Sequence, residues 1–174
     1  MRFKDRFQAG RFLASKLLEY RNRPDVLVLA LPRGGVPVGR EVADALHLPL
    51  DVLVVRKIGL PGYPELGIGA LASGGGEALS REAVRQYLVS SEALEETIRE
   101  ERRELQRRER RYRDDLPFPP VEGRTVILVD DGLATGSTME AAIASVRRNG
   151  ALRVVVAAPV GAAETCHRLR GLAD

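Results

Sequence analysis

The 174-residue sequence contains no tryptophan, one cysteine and two histidines. Because Cys166 has no second cysteine to pair with, a disulfide within the chain is excluded, and we predict a reducing cytoplasm as its location. His47 and His167 lie far apart in the sequence, and with Cys166 they give no spacing typical of a metal site. A Walker A sequence is also absent, which argues against a P-loop that hydrolyses ATP.

Long hydrophobic runs and a strong net charge are absent as well. No apolar run is long enough to span a membrane, and the segment that begins at Met1 lacks the apolar core of a signal peptide, so we expect neither a membrane span nor secretion. The formal net charge of +3 suits an anionic small molecule and does not require nucleic acid. With 44% hydrophobic residues, the chain 1–174 is predicted to form one globular domain.

Short apolar runs and amphipathic stretches alternate along the chain. The apolar runs predict strands at residues 26–31, 50–55, 67–72, 125–129 and 152–159. The amphipathic stretches predict helices at residues 5–21, 36–46, 81–89, 92–113, 139–148 and 162–172. This order predicts an α/β fold with a doubly wound, mainly parallel, five-stranded Rossmann-like sheet and a helical insert at about 80–115. Such sheets bind ligands beyond the carboxyl ends of their strands.

The segment TVILVDDGLATGST, residues 125–138, is the most informative part of the sequence. A buried strand ends at two carboxylates, Asp130 and Asp131, and a short loop then leads into a helix. The free N–H groups and the dipole of a helix N-terminus favour a phosphate at this loop, and Gly136 permits its close approach. The acid pair suits hydroxyl donors or a metal. The expected ligand therefore carries a phosphate at one end and hydroxyls nearby, as a ribose 5-phosphate does.

Two other strand ends carry basic residues. The first strand leads into Arg33, Gly34 and Gly35, which offer a planar charged fork and a close backbone approach before the next helix. The second strand leads into Arg56 and Lys57, and a compact lysine ammonium suits a diphosphate approached from one side. These segments predict a second anion-binding loop on the same edge of the sheet. The alternatives are a plain strand-to-helix turn and the end of an edge strand.

The segment 125–138 resembles the phosphoribosyl-pyrophosphate-binding motif of the type I phosphoribosyltransferases. The elements at Arg33–Gly34 and Arg56–Lys57 resemble that family's pyrophosphate loop and the Arg-Lys element of its adenine-specific members. The resemblance implies a transferase that uses 5-phosphoribosyl 1-pyrophosphate and a nucleobase or related amine and releases pyrophosphate. Mg²⁺ would be held mainly by the substrate, near Asp130 and Asp131. A cis peptide not preceding proline is expected around Arg33–Gly34.

The resemblance also implies three groups of site residues. The first group would stabilise the ribose and the reaction, and comprises the predicted catalytic residues Asp130, Asp131, Lys57 and Arg33. The second would wrap the 5-phosphate, and comprises Ala134, Thr135, Gly136, Ser137 and Thr138. The third would bind the pyrophosphate, and comprises Arg33, Gly34, Gly35, Arg56 and Lys57. The hypoxanthine-guanine members carry an aspartate where this chain has an alanine before Thr-Gly, which argues against a 6-oxopurine acceptor.

Several segments leave alternatives open. Residues 81–115 hold ten arginines and ten acidic residues, a balance typical of a solvated helix with i,i+4 pairs. Their net basic end, Arg107–Arg113, allows a non-catalytic regulator that senses phosphoribosyl pyrophosphate and binds nucleic acid. A phospho-acceptor domain with Mg²⁺ is a further alternative, and a homodimer stays open. Residues 59–66 are either a lid over the site or a surface loop. Residues 67–72 match G-x-G-x-x-A inside an apolar run, so no dinucleotide site is expected there.

Overall fold

The computed structural model describes residues 2–174, which form two separate sheets and six α-helices. The strands are β1 (Val26–Ala30), β2 (Leu50–Val52), β3 (Val55–Leu60), β4 (Tyr63–Ala72), β5 (Gly76–Leu79), β6 (Thr125–Val129) and β7 (Arg153–Ala157). The helices are α1 (Arg6–Lys16), α2 (Gly35–Leu46), α3 (Arg81–Gln86), α4 (Ser91–Arg113), α5 (Ser137–Arg148) and α6 (Ala163–Leu169). Within residues 2–174, no helix has the length and apolar character needed to cross a membrane.

The larger sheet is parallel and has the strand order β2-β1-β6-β7. Every residue of β1 and β6 is buried, as expected for central parallel strands that are covered on both faces. Alternate residues of each strand point to opposite layers: Val28 packs with α1 and α2, whereas Leu29 packs with α5 and α6. The doubly wound α/β fold predicted from the sequence is therefore confirmed.

The prediction of five strands in this sheet is wrong in detail, because the parallel sheet has four. Residues 67–72 lie in β4, which pairs antiparallel with β3 and β5 in a second, three-stranded sheet. The connection between β3 and β4 is a tight turn with Gly62 at φ +80°, and a parallel crossover needs a dozen or more residues. Most of the predicted loop at residues 59–66 accordingly forms the two arms of a β-hairpin.

A second difference concerns the strand predicted at residues 50–55, which is divided between the two sheets. The N–H of Leu53 donates to the carbonyl of Ala30 at 3.0 Å, so this residue still follows the parallel sheet. The carbonyl of Val54 instead accepts from the N–H of Ser73 at 2.9 Å, at the start of the antiparallel sheet. The chain thus passes from the parallel sheet to the antiparallel sheet between the adjacent buried residues Leu53 and Val54.

The helices predicted at residues 81–89 and 92–113 are present as α3 and α4, which lie against the antiparallel sheet. Leu105 of α4 packs in one cluster with Ile58 and Ile68. Arg113 at the end of α4 is buried, and its Nη2 lies 2.7 Å from Asp51 Oδ2 in β2. The helix is therefore attached to both sheets, by apolar contacts along its length and by one ion pair at its end.

Candidate functional site

The loops that follow β1 and β6 lie side by side at one edge of the parallel sheet. The two strands are direct neighbours, with Ala30 opposite Val129, and the N–H of Leu31 donates to the carbonyl of Val129 at 2.9 Å. The two loops that the sequence predicts on the same edge of the sheet, the loop with Arg33 and the loop with the acid pair, thus follow neighbouring strands.

Gly34 and Gly35 bring the first loop into direct contact with the strand of the acid pair. A Cβ atom on Gly34 would lie 2.1 Å from Asp131 Oδ2, and one on Gly35 would lie 2.6 Å from the carbonyl oxygen of Val129. The φ angle of Gly34 is −63°, so space rather than backbone conformation requires glycine there. No residue with a side chain would allow the two loops to approach so closely.

The chain between β1 and α2 has the backbone feature that the resemblance implied. The peptide bond between Pro32 and Arg33 is cis, one bond before the Arg33–Gly34 bond around which it was expected. The side chain of Arg33 is exposed, and α2 begins at Gly35 directly after it. An exposed cation and a helix N-terminus therefore follow one another directly after β1.

The two aspartates of the acid pair differ in their surroundings. Arg6 of α1 holds Asp131: its Nε donates to Asp131 Oδ2 at 2.8 Å, and its Nη2 lies 2.6 Å from the same oxygen. Burial raises the pKa of Asp130 to about 6, and the negative charge of Asp131 adds to the rise. A hydrogen bond from the Asp131 N–H and the charge of Lys57 act in the opposite direction. The acid pair thus combines one paired carboxylate with one that is costly to ionise.

The segment after the acid pair surrounds a small polar cavity of about 150 Å³. Gly136 has φ +84°, and α5 begins at Ser137, so the hydroxyls of Ser137 and Thr138 belong to its first turn. This helix starts two residues earlier than predicted, which places the N-terminal N–H groups at the loop itself. The cavity is lined by Lys57, Asp130, Gly132, Leu133, Ala134, Thr135, Gly136, Thr138 and Met139.

The adjacent residues Arg56 and Lys57 point to opposite sides of β3. Lys57 lines the cavity of the second loop, although it belongs to the antiparallel sheet. Arg56 faces α4, where its Nη2 lies 2.6 Å from Glu101 Oε2, and both side chains are about three-quarters buried. The structure therefore brings Lys57 to the predicted site and leaves Arg56 in an ion pair away from it.

Three residues that the sequence interpretation missed contact the site. Arg6 holds the acid pair, as described above, while Thr165 and Arg168 of α6 donate to the carbonyl oxygens of Ala134 and Thr135, respectively. These contacts join residues 125, 31 and 33 positions apart, so no local sequence pattern could have indicated them.

A second cleft of about 270 Å³ lies on the other side of the acid pair, between α1 and the segment after β7. Its walls combine apolar groups with the Arg6–Asp131 pair. The lining residues are Phe3, Asp5, Arg6, Ala9, Asp131, Pro159 and Val160. Asp131 therefore stands in the wall of this cleft, and Asp130 in the wall of the phosphate-sized cavity.

Two arginines at the basic end of the insert share one acidic partner. Arg107 and Arg108 both donate to Glu104, at 2.7 to 2.9 Å. Hydrogen bonds from these two arginines lower the pKa of Glu104 to about 2. These contacts are the i,i+3 and i,i+4 pairs that the charge pattern predicts for this helix.

The fold and this edge of the sheet define a doubly wound α/β protein in which two glycine-containing loops flank a pair of carboxylates. The chain belongs to the phosphoribosyl transferase domain family, whose sequence model matches residues 2–170. The resemblance to the type I phosphoribosyltransferases is therefore confirmed.

Two named proteins and one crystal structure are similar to this chain in sequence. Two proteins of Mycobacterium tuberculosis, from strains CDC 1551 and H37Rv and named as candidate phosphoribosyl transferases, are each 45% identical over 172 residues. The match covers 99% of this chain and 39% of theirs. The crystal structure of TT1426 from Thermus thermophilus is 45% identical, with a TM-score of 0.81 over 100% of this chain and 82% of that one.

A more distant solved structure has the same fold. The phosphoribosylpyrophosphate synthetase of Mycobacterium smegmatis is 20% identical to this chain, with a TM-score of 0.51. The match covers 95% of this chain and 38% of that one.

Proposed function

We propose that this chain transfers a phosphoribosyl group from 5-phosphoribosyl 1-pyrophosphate to a nucleobase or related amine and releases pyrophosphate. The observation that carries the proposal is the contact of the first loop with the acid pair, where a Cβ on Gly34 would lie 2.1 Å from Asp131 Oδ2. A ligand that spans both loops passes the acid pair, so hydroxyls between two anionic ends would match the groups it meets. A ribose with a 5-phosphate and a 1-diphosphate has this arrangement.

The three parts of this substrate have separate places in the proposal. The 5-phosphate lies in the cavity formed by residues 134–138, at the N-terminus of α5. The ribose hydroxyls donate to Asp130 and Asp131. Both Arg6 contacts to Asp131 use Oδ2, so Oδ1 can accept from a hydroxyl while the ion pair is kept.

The diphosphate is assigned to the first loop. It meets Arg33 and the N–H groups of Gly34 and Gly35. Lys57, which lines the neighbouring 5-phosphate cavity beside Asp130, supplies a further positive charge between the two anionic ends of the ligand. Arg56 is left out, because its guanidinium is bound to Glu101.

The acid pair also fits the metal that the family implies. Carboxylate oxygens are the ligands that Mg²⁺ prefers, and the ion usually keeps several waters and substrate phosphates as its remaining ligands. No group of three or more histidine, cysteine or acidic side chains within residues 2–174 is arranged to hold a metal, so Asp130 and Asp131 would share the ion with the substrate. Bound Mg²⁺ would neutralise part of the charge on the diphosphate.

In this reaction the protein positions the two substrates and stabilises the charges that develop on them. The bond between the anomeric carbon and the diphosphate oxygen breaks, and pyrophosphate leaves with the bonding electrons. A nitrogen of the acceptor forms the new bond to that carbon, and its proton passes to solvent water. Arg33 and Lys57 stabilise the negative charge on the leaving group. Asp130 and Asp131 stabilise the positive charge on the ribose ring.

The acceptor is assigned to the cleft beside α1. This cleft shares Asp131 with the ribose site, and Phe3, Pro159 and Val160 give it apolar walls suited to a flat ring. Ala134 cannot transfer a proton, so a 6-oxopurine is not the expected acceptor. A substitution of Val160 by tryptophan should block turnover with the best acceptor while leaving the affinity for phosphoribosyl pyrophosphate within about twofold.

The function is tested with a panel of free bases and amines incubated with phosphoribosyl pyrophosphate and Mg²⁺, with pyrophosphate release as the readout. Release above the background hydrolysis with at least one acceptor is the expected result. Binding of phosphoribosyl pyrophosphate without release for any acceptor would favour the non-catalytic regulator. That alternative further requires salt-dependent RNA binding that is lost when Arg107, Arg108, Arg110 and Arg111 are replaced by glutamate.

A further inference from the structure

We infer that α6 positions the phosphate-binding loop through Thr165 and Arg168, which orient its peptide groups so that N–H groups rather than carbonyls face the phosphate. The inference rests on the proposed function, because it takes the 5-phosphate as the occupant of this loop. Neither residue lines the cavity itself; both act through the backbone of residues 134–136.

The contacts from α6 involve two consecutive peptide groups of the loop. Thr165 is buried, and its hydroxyl donates to the carbonyl oxygen of Ala134 at 2.5 Å. The Nη2 of Arg168 donates to the carbonyl oxygen of Thr135. Both carbonyls are therefore directed towards α6.

The orientation of the N–H groups follows from the geometry of a trans peptide. The C=O and N–H bonds of one trans peptide group point in opposite directions. The carbonyl of Ala134 shares its peptide group with the N–H of Thr135, and the carbonyl of Thr135 shares its own with the N–H of Gly136. Because α6 binds both carbonyls, these two N–H groups are directed away from α6, towards the cavity.

The guanidinium of Arg168 is itself held in place. Its Nε donates to Glu140 Oε1 of α5 at 2.6 Å, so one side chain links the loop, α5 and α6. Gly136 packs directly against these donors: a Cβ atom there would lie 2.7 Å from Thr165 Cγ2 and 2.9 Å from Arg168 Nη2. The loop, which is exposed at Thr135, thus has a rigid support on one side and the cavity on the other.

Without the hydrogen bonds from Thr165 and Arg168, the two peptide groups of the loop would be free to rotate. A peptide that turned its carbonyl into the cavity would present a partial negative charge to the phosphate and remove one donor. Pre-orientation avoids that loss and the entropy of ordering the loop on binding. The expected consequence is specific to ligands that carry a phosphate in this loop.

The test compares Arg168→Met and Thr165→Val with Arg170→Met, an exposed arginine on the same end of α6. Calorimetry measures the affinity of each protein for ribose 5-phosphate, which fills the phosphate loop, and for magnesium pyrophosphate, which fills the first loop. We expect Arg168→Met to weaken ribose 5-phosphate binding by about tenfold and Thr165→Val by about fivefold, with pyrophosphate affinity unchanged. Arg168→Lys keeps a charged donor and should recover part of the loss.

The outcomes separate the inference from the proposed function. Wild-type affinity of both variants for ribose 5-phosphate, or an equal loss for both ligands in folded protein, would overturn the positioning role and leave the proposed function intact. A wild-type protein that binds neither ligand would overturn both.

Discussion

The acidic residues at the edge of the parallel sheet and in the helical insert differ in how well neighbouring groups compensate their charge. At the edge, two adjacent carboxylates are crowded together, and burial raises the pKa of Asp130 to about 6. In the insert, Glu104 has two arginine partners, whose hydrogen bonds lower its pKa to about 2. The insert satisfies these charges within the chain.

The difference indicates where a ligand is needed. A group whose charged form is disfavoured in the folded protein is a candidate for binding or catalysis, whereas a charge matched by its own neighbours serves stability. Lys57 and Arg56 show both cases in one strand, because the first lines the cavity and the second is paired with Glu101. The antiparallel sheet and α4 thus support the site chiefly by presenting Lys57.

The largest expected effect comes from neutralising the acid pair. The double substitution Asp130→Asn and Asp131→Asn should weaken ribose 5-phosphate binding by about 100-fold or more, because two charge-assisted hydrogen bonds are lost while the fold survives. Calorimetry measures the affinity, and thermal unfolding followed by circular dichroism checks the fold. Asp44→Asn, an exposed aspartate in an i,i+4 pair with Arg40, is the control. Unchanged affinity in the double variant would contradict the assignment of the ribose site.

The next effect concerns the contact between the two loops. Gly34→Ala should reduce pyrophosphate affinity by about tenfold, because the new Cβ collides with the carboxylate of Asp131 and displaces the first loop. Gly67→Ala is the matched control, since a Cβ there meets nothing within 4 Å. Equal affinities in the two variants would contradict the assignment of the diphosphate to the first loop.

A smaller effect separates the two neighbours in β3. Lys57→Met should lower the affinity for phosphoribosyl pyrophosphate by about fivefold through the loss of one charge in the cavity. Arg56→Met should leave that affinity unchanged and lower the free energy of unfolding by about 1 kcal/mol, because it removes a partly buried ion pair with Glu101. Urea unfolding and calorimetry on both variants measure the two quantities. A loss of affinity in Arg56→Met together with unchanged affinity in Lys57→Met would instead place the diphosphate on the α4 side of β3.

The smallest expected effect is the pH dependence of stability. The pKa of Asp130 is about 6 in the folded protein, higher than in the unfolded chain. Ionisation of this carboxyl group therefore lowers the free energy of unfolding as pH rises from about 4 to 6. The advantage of Asp130→Asn over the wild type should therefore grow across this window and stay constant above it. Glu104 has a lowered pKa, so the deficit of Glu104→Gln should be constant above about pH 4.5 and shrink as pH falls towards 2.

Urea unfolding at a series of pH values distinguishes the two signs. An advantage of Asp130→Asn that does not change between about pH 4 and 6 would contradict the burial of that carboxyl group.

The sequence predicts the local structure around the acid pair, because its pattern there is continuous. The strand before Asp130 and Asp131, the loop after it and the helix start form one segment, which supplies most of the lining of the small cavity, whereas Lys57 comes from β3. The pairing of β1 with β6 joins segments about 100 residues apart, so the local pattern does not give it.

The parts that the sequence did not predict depend on distant pairing. The run at residues 50–55 is mostly apolar, and nothing in it marks the change of sheet between Leu53 and Val54. Arg6 is one of many arginines, and only the folded chain places it on Asp131. The supports from α6 are likewise products of the fold, since both act on backbone carbonyls, which leave no trace in residue type.

The most direct test is a crystal structure of this chain with phosphoribosyl pyrophosphate and Mg²⁺. We predict the 5-phosphate against the N–H groups of residues 135–138, the ribose hydroxyls on Asp130 and Asp131, and the diphosphate against Arg33–Gly35. A ligand bound away from these loops, or a diphosphate on the α4 side of β3, would contradict the claim that the two loops and the acid pair form one site.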